Sequence, residues 1–338
     1  MPAVIAKERC YYLDFAKVLT TFLVILGHLY SAKSGVRLYL YAFHMPVFFV
    51  ISGVFHRYKG YVDWGKYCRT ILWPIAVFII IAILTNVLFF GESLSSQLRE
   101  YFIDLPLGDV HGIIWFLFAL FWCKVVLDII LSCRSSILPI IICSLLLFVP
   151  GFVFRARLPL CLSNGMMALP FYAAGYLGRD YLRNRKVSFK WILPFMLCLL
   201  ITVLITRLHG RVSMLSVSFG HLGATLFGDS LDGFPSFAKG LLKFGDVFLF
   251  YLNGFVGSAM ILSLSLLPWP RVKFVTSLSQ ALITVVGIQY VFINVVKLYL
   301  GVDNGIFISA ALALLIFMIC FVVHQLLAPL YRVFDQRQ

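Results

Sequence analysis

Residues 11–30 read YYLDFAKVLTTFLVILGHLY. About 20 apolar residues carry a helix across a bilayer, and this stretch is long enough. It nevertheless contains Asp14, Lys17 and His28. Ionisable groups within a spanning helix are costly, so each is a candidate functional residue. Lys17 and His28 are eleven positions apart. That is about three helical turns, so the two share one face, about 16 Å apart along the axis. Sixteen residues after His28, the next apolar stretch opens with His44-Met45-Pro46.

The rest of the chain agrees with a membrane reading. Of 338 residues, 62% are hydrophobic and only 12% charged, with a mean hydropathy of +0.97. Soluble domains are about half apolar and about a quarter charged. The expected fold is an all-α polytopic membrane protein forming a single integral-membrane domain over 1–338. Ten apolar spans are expected, near 11–31, 38–56, 70–90, 112–132, 135–153, 165–181, 189–207, 245–267, 274–299 and 305–327. No soluble domain fits between them, and the longest connector, 208–244, is rich in Gly, Ser and His. The formal charge of +14 resides in short connectors, not in a basic domain, so nucleic acid is not an expected partner. Eight cysteines without a CxxC read as small apolar residues, with neither disulfides nor a metal site expected. The basic N-terminus leads into a span too long for an ordinary signal sequence and is expected to remain uncleaved.

Connector charge sets the expected orientation. With the N-terminus inside, inner segments hold sixteen Lys and Arg and outer segments ten, which favours both termini in the cytoplasm. Lys17 then lies toward the cytoplasm, and His28 and His44 toward the outer half.

A histidine in a membrane helix can serve as base, nucleophile, proton relay or structural donor. His28 shares its helix with Asp14 and Lys17, and the i, i+3 spacing lets those two pair. His44 opens a helix in which Phe48 and Ser52 follow at i+4 and i+8, close to one face. Pro46 removes an amide donor from the first turn, which equally suits helix initiation. Ser52-Gly53 suits close helix packing. Lys66 and Arg69 precede the third span, where they also fit positive-inside anchoring, as do Arg179, Arg183, Arg185, Lys186 and Lys190. Trp115 falls where an aromatic belt lies, and His111, His209 and His221 read as loop residues. No HExxH, GxSxG, P-loop or dinucleotide fingerprint occurs in a suitable context.

The first-helix pattern, a basic residue at 17 and histidine at 28 after Leu13-Asp14, resembles the signature of the membrane acyltransferase 3 superfamily. FHMPVFFVISGVF (43–55) is similar to that family's second-helix block, and KYCRTILWPIAVF (66–78) to its basic-then-proline third-helix block. IWFLFALFW (114–122), LPFYAAGYLGRD (169–180) and YLNGFVGSAMIL (251–262) resemble later blocks. The likeness covers about 9–300. Lysine at 17 and the Gly-rich connector look most like the fucose 4-O-acetylase-like branch. One departure stands out: Gln289 occupies a position where family members often carry histidine, and glutamine is no base at neutral pH.

The resemblance implies a membrane O-acyltransferase, commonly an O-acetyltransferase. It would move an acyl group from acyl-CoA, typically acetyl-CoA, to a sugar hydroxyl of a cell-surface glycan or its lipid-linked precursor. Acetyl-CoA is then a co-substrate, with no tightly bound cofactor and no metal. His28 and His44 are the expected catalytic residues, and Lys17, Lys66 and Arg69 the expected donor-binding residues. Asp14, Pro46, Phe48, Ser52, Trp115 and Gln289 are expected to support them. The expected location is a bacterial inner membrane. Buried Asp, Lys and His also suit a proton-coupled transporter or flippase of glycan-related substrates, although their concentration in the first third argues for one fixed site over a repeat interface.

Overall fold

The computed structural model describes residues 10–31, 34–107, 114–133, 136–154, 158–208 and 236–335. The structure is 83% helical, with no strand among the described residues. In chain order the helices are α1 (Tyr11–His28), α2 (Gly35–Tyr41), α3 (His44–Val54), α4 (Trp64–Tyr67), α5 (Trp73–Phe90), α6 (Leu94–Arg99), α7 (Ile114–Cys133), α8 (Ile137–Phe154), α9 (Leu162–Leu177), α10 (Arg179–Arg183), α11 (Ile192–Leu208), α12 (Ser236–Ser265), α13 (Lys273–Gln280), α14 (Leu282–Leu300) and α15 (Ile306–Asp335).

Among the described residues, seven segments are long and apolar enough to span a membrane: Gly35–Val54, Trp64–Phe90, Ile114–Cys133, Phe189–Arg207, Phe248–Ser265, Leu282–Leu300 and Ile306–Leu327. The other expected spans, 11–31, 135–153 and 165–181, coincide with α1, α8 and α9. In α1 the polar residues Asp14, Lys17, Thr20, Thr21 and His28 dilute the apolar content. The threonines cost little there, because Thr20 Oγ1 donates to the Ala16 carbonyl at 2.7 Å and Thr21 Oγ1 to that of Lys17 at 3.0 Å.

Several expected spans prove to be composite. The span at 38–56 breaks at Ala42-Phe43, and His44 starts a new helix. Pro46 is the third residue of α3, where its missing N–H is one of the donors a helix start leaves unbonded. Between α4 and α5 the chain makes a wide π turn over Cys68–Leu72. The span at 274–299 divides at Ala281 into α13 and α14. The connector 208–244 falls largely outside the described residues, and α12 begins at Ser236, earlier than expected.

Helices α3 and α9 are buried along nearly their whole length. Helices α5, α8, α11 and α15 turn Leu88, Leu146, Leu193 and Leu326 outward. Apolar side chains on the outside suit a hydrocarbon solvent. The two central helices meet backbone to backbone. A Cβ on Gly53 would collide with the Tyr172 carbonyl, and one on Gly175 with the Val50 carbonyl. This is the small-residue contact of membrane helices, and it bears out the packing reading of Ser52-Gly53.

Gly53→Ala should therefore destabilise the fold. The obstacle is backbone, which cannot rotate aside, so the cost should reach or exceed the overpacking range of about 1–3 kcal/mol. Gly35→Ala, which meets nothing within 4 Å, is the control. Thermal unfolding in detergent checks this, and equal melting temperatures for the two variants would refute the contact.

Candidate active site

The His28 end is assembled from three short pieces of chain. Gly27 leaves room for the Tyr41 ring, which comes within 3.0 Å of where a Cβ would stand. That packing brings the Tyr41 hydroxyl to 2.7 Å from His28 Nδ1. His44 Nδ1 lies 2.7 Å from the Leu40 carbonyl. A carbonyl only accepts, so Nδ1 carries the proton and Nε2 of neutral His44 holds a lone pair. The Tyr41 ring stands between the imidazoles, with centroids 5.3 Å from His28 and 4.8 Å from His44. His44 is 3% exposed, whereas His28 is half-buried.

Arg37, one turn before Tyr41, lays its guanidinium over that ring at 4.8 Å and donates from Nη1 to the Tyr30 carbonyl at 3.1 Å. The loop after α14 is tied to the end of α1. The Asp303 amide donates to the Leu29 carbonyl at 3.4 Å, and Asp303 Oδ1 accepts from the Ser31 amide at 3.1 Å. This places Lys297, near the end of α14, within electrostatic reach of both His28 and Arg37.

At the other end of α1, Lys17 Nζ sits 3.7 Å from Asp14 Oδ1 and 3.8 Å from the centre of the Phe55 ring. Asp14 also accepts from Ser279 Oγ on α13 at 2.9 Å. Arg183 approaches the same Phe55 ring, at 5.4 Å. The ring is 37% exposed, so two cations converge on an accessible aromatic platform.

Behind Phe55 lies a buried polar network. Tyr172 is 2.8 Å from His56 Nδ1, and His56 Nε2 is 3.0 Å from Asp128 Oδ1. Tyr67 donates to Asp128 Oδ2 at 2.6 Å, and Lys124 Nζ reaches the Tyr172 oxygen at 3.4 Å. One direction of donation satisfies every member: Lys124 to Tyr172, Tyr172 to His56 Nδ1, and both His56 Nε2–H and Tyr67 to Asp128. The network joins α3's C-terminal end to α4, α7 and α9. Burial pushes the His56 imidazole below its usual range, and the Asp128 hydrogen bond pulls only part of the way back.

The expected site residues fall into separate places. His28 and His44 come together through Tyr41, and Lys17 pairs with Asp14 as the spacing suggests. Lys66 is half-buried and within electrostatic reach of His56. Arg69 is exposed, donates from Nε to the Gly65 carbonyl at 3.2 Å, and borders an apolar groove with Cys68, Leu72, Trp73 and Ala76. Phe48 packs against Phe116, with centroids 5.5 Å apart. Trp115 does not line an aromatic belt: it is 6% exposed and packs edge-on against Phe116. Gln289 is fully buried, and neither its carboxamide oxygen nor its nitrogen has a partner among the described residues. His111, His209 and His221 lie outside the described residues. No group of three His, Cys, Asp or Glu side chains among the described residues forms a metal site.

Sequence reasoning missed Arg37, Tyr41, Phe55, His56, Tyr67, Lys124, Asp128, Tyr172, Arg183 and Lys297. A signal existed for two of them. Lys124 and Asp128 stand at i, i+4 within an apolar span, the same anomaly that singled out Asp14 and Lys17.

Residues 11–325 match the family model described as an acyltransferase domain, the membrane acyltransferase 3 family. The match covers nearly the whole chain, which therefore belongs to this family and is an integral membrane protein. No curated protein and no solved structure matches.

The His56 network carries a pH prediction. His56 is neutral in the fold, and the unfolded chain takes up a proton below about pH 6.5. A depressed imidazole pKa gives stability that is complete above that value and is lost as the pH falls. Protonating Nδ1 would also reverse the Tyr172 hydrogen bond. The melting-temperature advantage of wild type over His56→Gln should shrink between pH 7 and pH 5. An advantage that is constant over that range contradicts the assignment.

Proposed function

We propose that this family member is an acetyl-CoA-dependent O-acetyltransferase of a bacterial inner membrane. It takes the acyl group on the cytoplasmic side and delivers it to a sugar hydroxyl of a cell-surface glycan or lipid-linked precursor. One observation carries the reading: a histidine pair bridged by Tyr41 stands one helix length from a platform that collects cations. From Lys17 to His28 along α1 is eleven residues, and from His44 to Phe55 along α3 is again eleven, about 16 Å in each case. The likeness of Lys17 and the Gly-rich connector to the fucose 4-O-acetylase-like branch supports a sugar acceptor.

In this reading the N-terminus is cytoplasmic, as the connector charges favour. The donor's phosphates meet Lys17 and Arg183 beside Phe55, with Lys66 behind them, and the thioester arm runs along the α1–α3 seam. Arg69, on the outer surface of its turn, has a lesser part than its sequence position suggests. The acceptor hydroxyl comes to His28 Nε2, which takes its proton while Nδ1–H donates to the Tyr41 oxygen. The oxygen attacks the thioester carbonyl carbon, a carbon–oxygen bond forms and the carbon–sulfur bond breaks. The departing thiolate recovers the proton from His28 and leaves as CoA thiol. His44 Nε2 offers a fixed lone pair with which to hold the acceptor. Neutral His44 cannot donate from that nitrogen, so any oxyanion contact from it requires the imidazolium.

Labelled acetyl-CoA, a glycan panel and the purified chain test the assignment. Label should pass to a glycan, and uptake into sealed vesicles without transfer would favour a carrier instead. His28→Ala, inserted at normal levels, should lose about 10²-fold or more, the lower bound for a general base. Retention of activity within about tenfold of wild type would remove His28 from the chemistry.

Donor binding has its own measurement. Arg183→Ala and Lys17→Ala should raise the donor KM more than the acceptor KM, and Arg69→Ala should do so less. A larger donor effect from Arg69 than from Arg183 would return the donor site to the groove at Cys68–Leu72.

A further inference from the structure

We propose that the acceptor is an anion: a carboxylate or phosphate group close to its reacting hydroxyl sits between Arg37 and Lys297. The proposal rests on the acyl-transfer reading above and extends it to the charge class of the acceptor.

Arg37 is a held cation. Its Nη1 edge is bonded to the Tyr30 carbonyl, and its plane covers the Tyr41 ring whose hydroxyl touches His28. A guanidinium fixed in this way presents its remaining N–H groups as a fork that fits a carboxylate or phosphate. Lys297 is half-buried on α14, and its helix end is anchored to α1 through Asp303. The two cations lie within electrostatic reach of each other and of His28, and Arg37 also of His44.

Nothing described neutralises them. The acid on α1, Asp14, is at the opposite end of the helix and is engaged by Lys17 and Ser279. Helices α2, α3 and α14 contain no Asp or Glu. Asp303 follows Lys297 by six residues, and its Oδ1 accepts from the Ser31 amide. Among the described residues, neither Arg37 nor Lys297 forms an ion pair. Two like charges in a partly buried site repel, and a bound anion turns that cost into attraction. Arg37 covers the ring whose hydroxyl bonds His28, and Lys297 acts on the same imidazole, so an anion held by them would bring a neighbouring hydroxyl toward Nε2.

A phosphate on a lipid headgroup offers the same chemistry, as does the oxyanion of the reaction itself, and the experiment separates the three. The full chain is placed in nanodiscs of neutral phosphatidylcholine, and separately in discs with added anionic lipid. Acetyl transfer is measured on matched pairs of neutral and charged sugars: methyl glucoside with methyl glucuronide, methyl galactoside with methyl galacturonide, and each neutral sugar with its phosphate ester. Wild type should prefer the charged member in kcat/KM in both kinds of disc. Arg37→Gln and Lys297→Met should each cut that charged-to-neutral ratio about tenfold or more, the scale of one hydrogen bond to a charged group. Lys297→Arg should keep most of it.

Equal use of charged and neutral sugars overturns the proposal but leaves the acyltransferase standing. So does a uniform fall in kcat on both members of a pair, which assigns the cations to the oxyanion. A preference that disappears when anionic lipid is added assigns them to headgroups. Transfer to no sugar at all, with the thioester intact, defeats the acyl-transfer reading together with this one.

Discussion

The contact between α3 and α9 is the constraint on which the rest of the site depends. Gly53 and Gly175 allow each helix to press its backbone onto a carbonyl of the other, and no larger residue fits at either point. Apolar side chains drive no association in lipid, where the solvent is equally apolar, so close backbone packing has to hold the helices. Once α3 is seated, its two ends are fixed. One delivers Phe55 and His56 to the Tyr172 side of α9, and the other delivers His44 to Tyr41. The hydroxyl that bonds His56 belongs to the same Tyr172 whose carbonyl excludes a Cβ at Gly53.

The antiparallel match of α1 and α3 follows from that seat. The two helices cover the same eleven-residue interval in opposite directions, touch through Lys17 and Phe55 at one end, and join through His28, Tyr41 and His44 at the other. A shift of α3 by one turn, about 5.4 Å, would undo both contacts at once. Placement of the histidine pair and of the cation platform is therefore a single problem with a single solution, set by the helix register.

Much of this was legible from residue spacing alone. The shared face of Lys17 and His28, the Asp14–Lys17 pair, the helix start at His44 and the small-residue packing at Gly53 are all local facts that helical periodicity conveys. What periodicity omits is the partner. Arg37 and Arg183 read as ordinary connector cations until α2 and α10 fold them against Tyr41 and Phe55. Trp115 read as an interfacial residue because depth along a helix can be counted, whereas the direction of its face depends on neighbours. Arg69 and Lys66 group together in the sequence because both precede the third span. The π turn at Cys68–Leu72 changes the angle between residues three apart and leaves Arg69 exposed while Lys66 is half-buried. The His56–Asp128 network draws on four separate segments, and only its Lys124–Asp128 part shows as a local pattern.

Most of the buried ionisable groups of this protein are hydrogen-bonded, and a few buried polar atoms are not. Asp14, Asp128, His56, Tyr67 and Tyr172 each have hydrogen-bonding partners, so burying them in a membrane protein is affordable, and together they fasten α1, α3, α4, α7, α9 and α13. Among the described residues, the buried atoms without partners are the Tyr12 and Tyr30 hydroxyls, Arg185 Nε, Asn253 Oδ1, Ser309 Oγ and both ends of the Gln289 carboxamide. Tyr12 is five residues before Lys17 on α1, and Tyr30 is two residues after His28. Gln289 lies eight residues before Lys297 on α14, about 12 Å toward the Lys17 end. Each unmade bond costs the fold about 1–3 kcal/mol. A core built for stability alone would carry leucine at 289. Tyr12, Tyr30 and Gln289 sit on or next to α1 and α14, the helices that carry Lys17, His28 and Lys297, so part of that cost falls there.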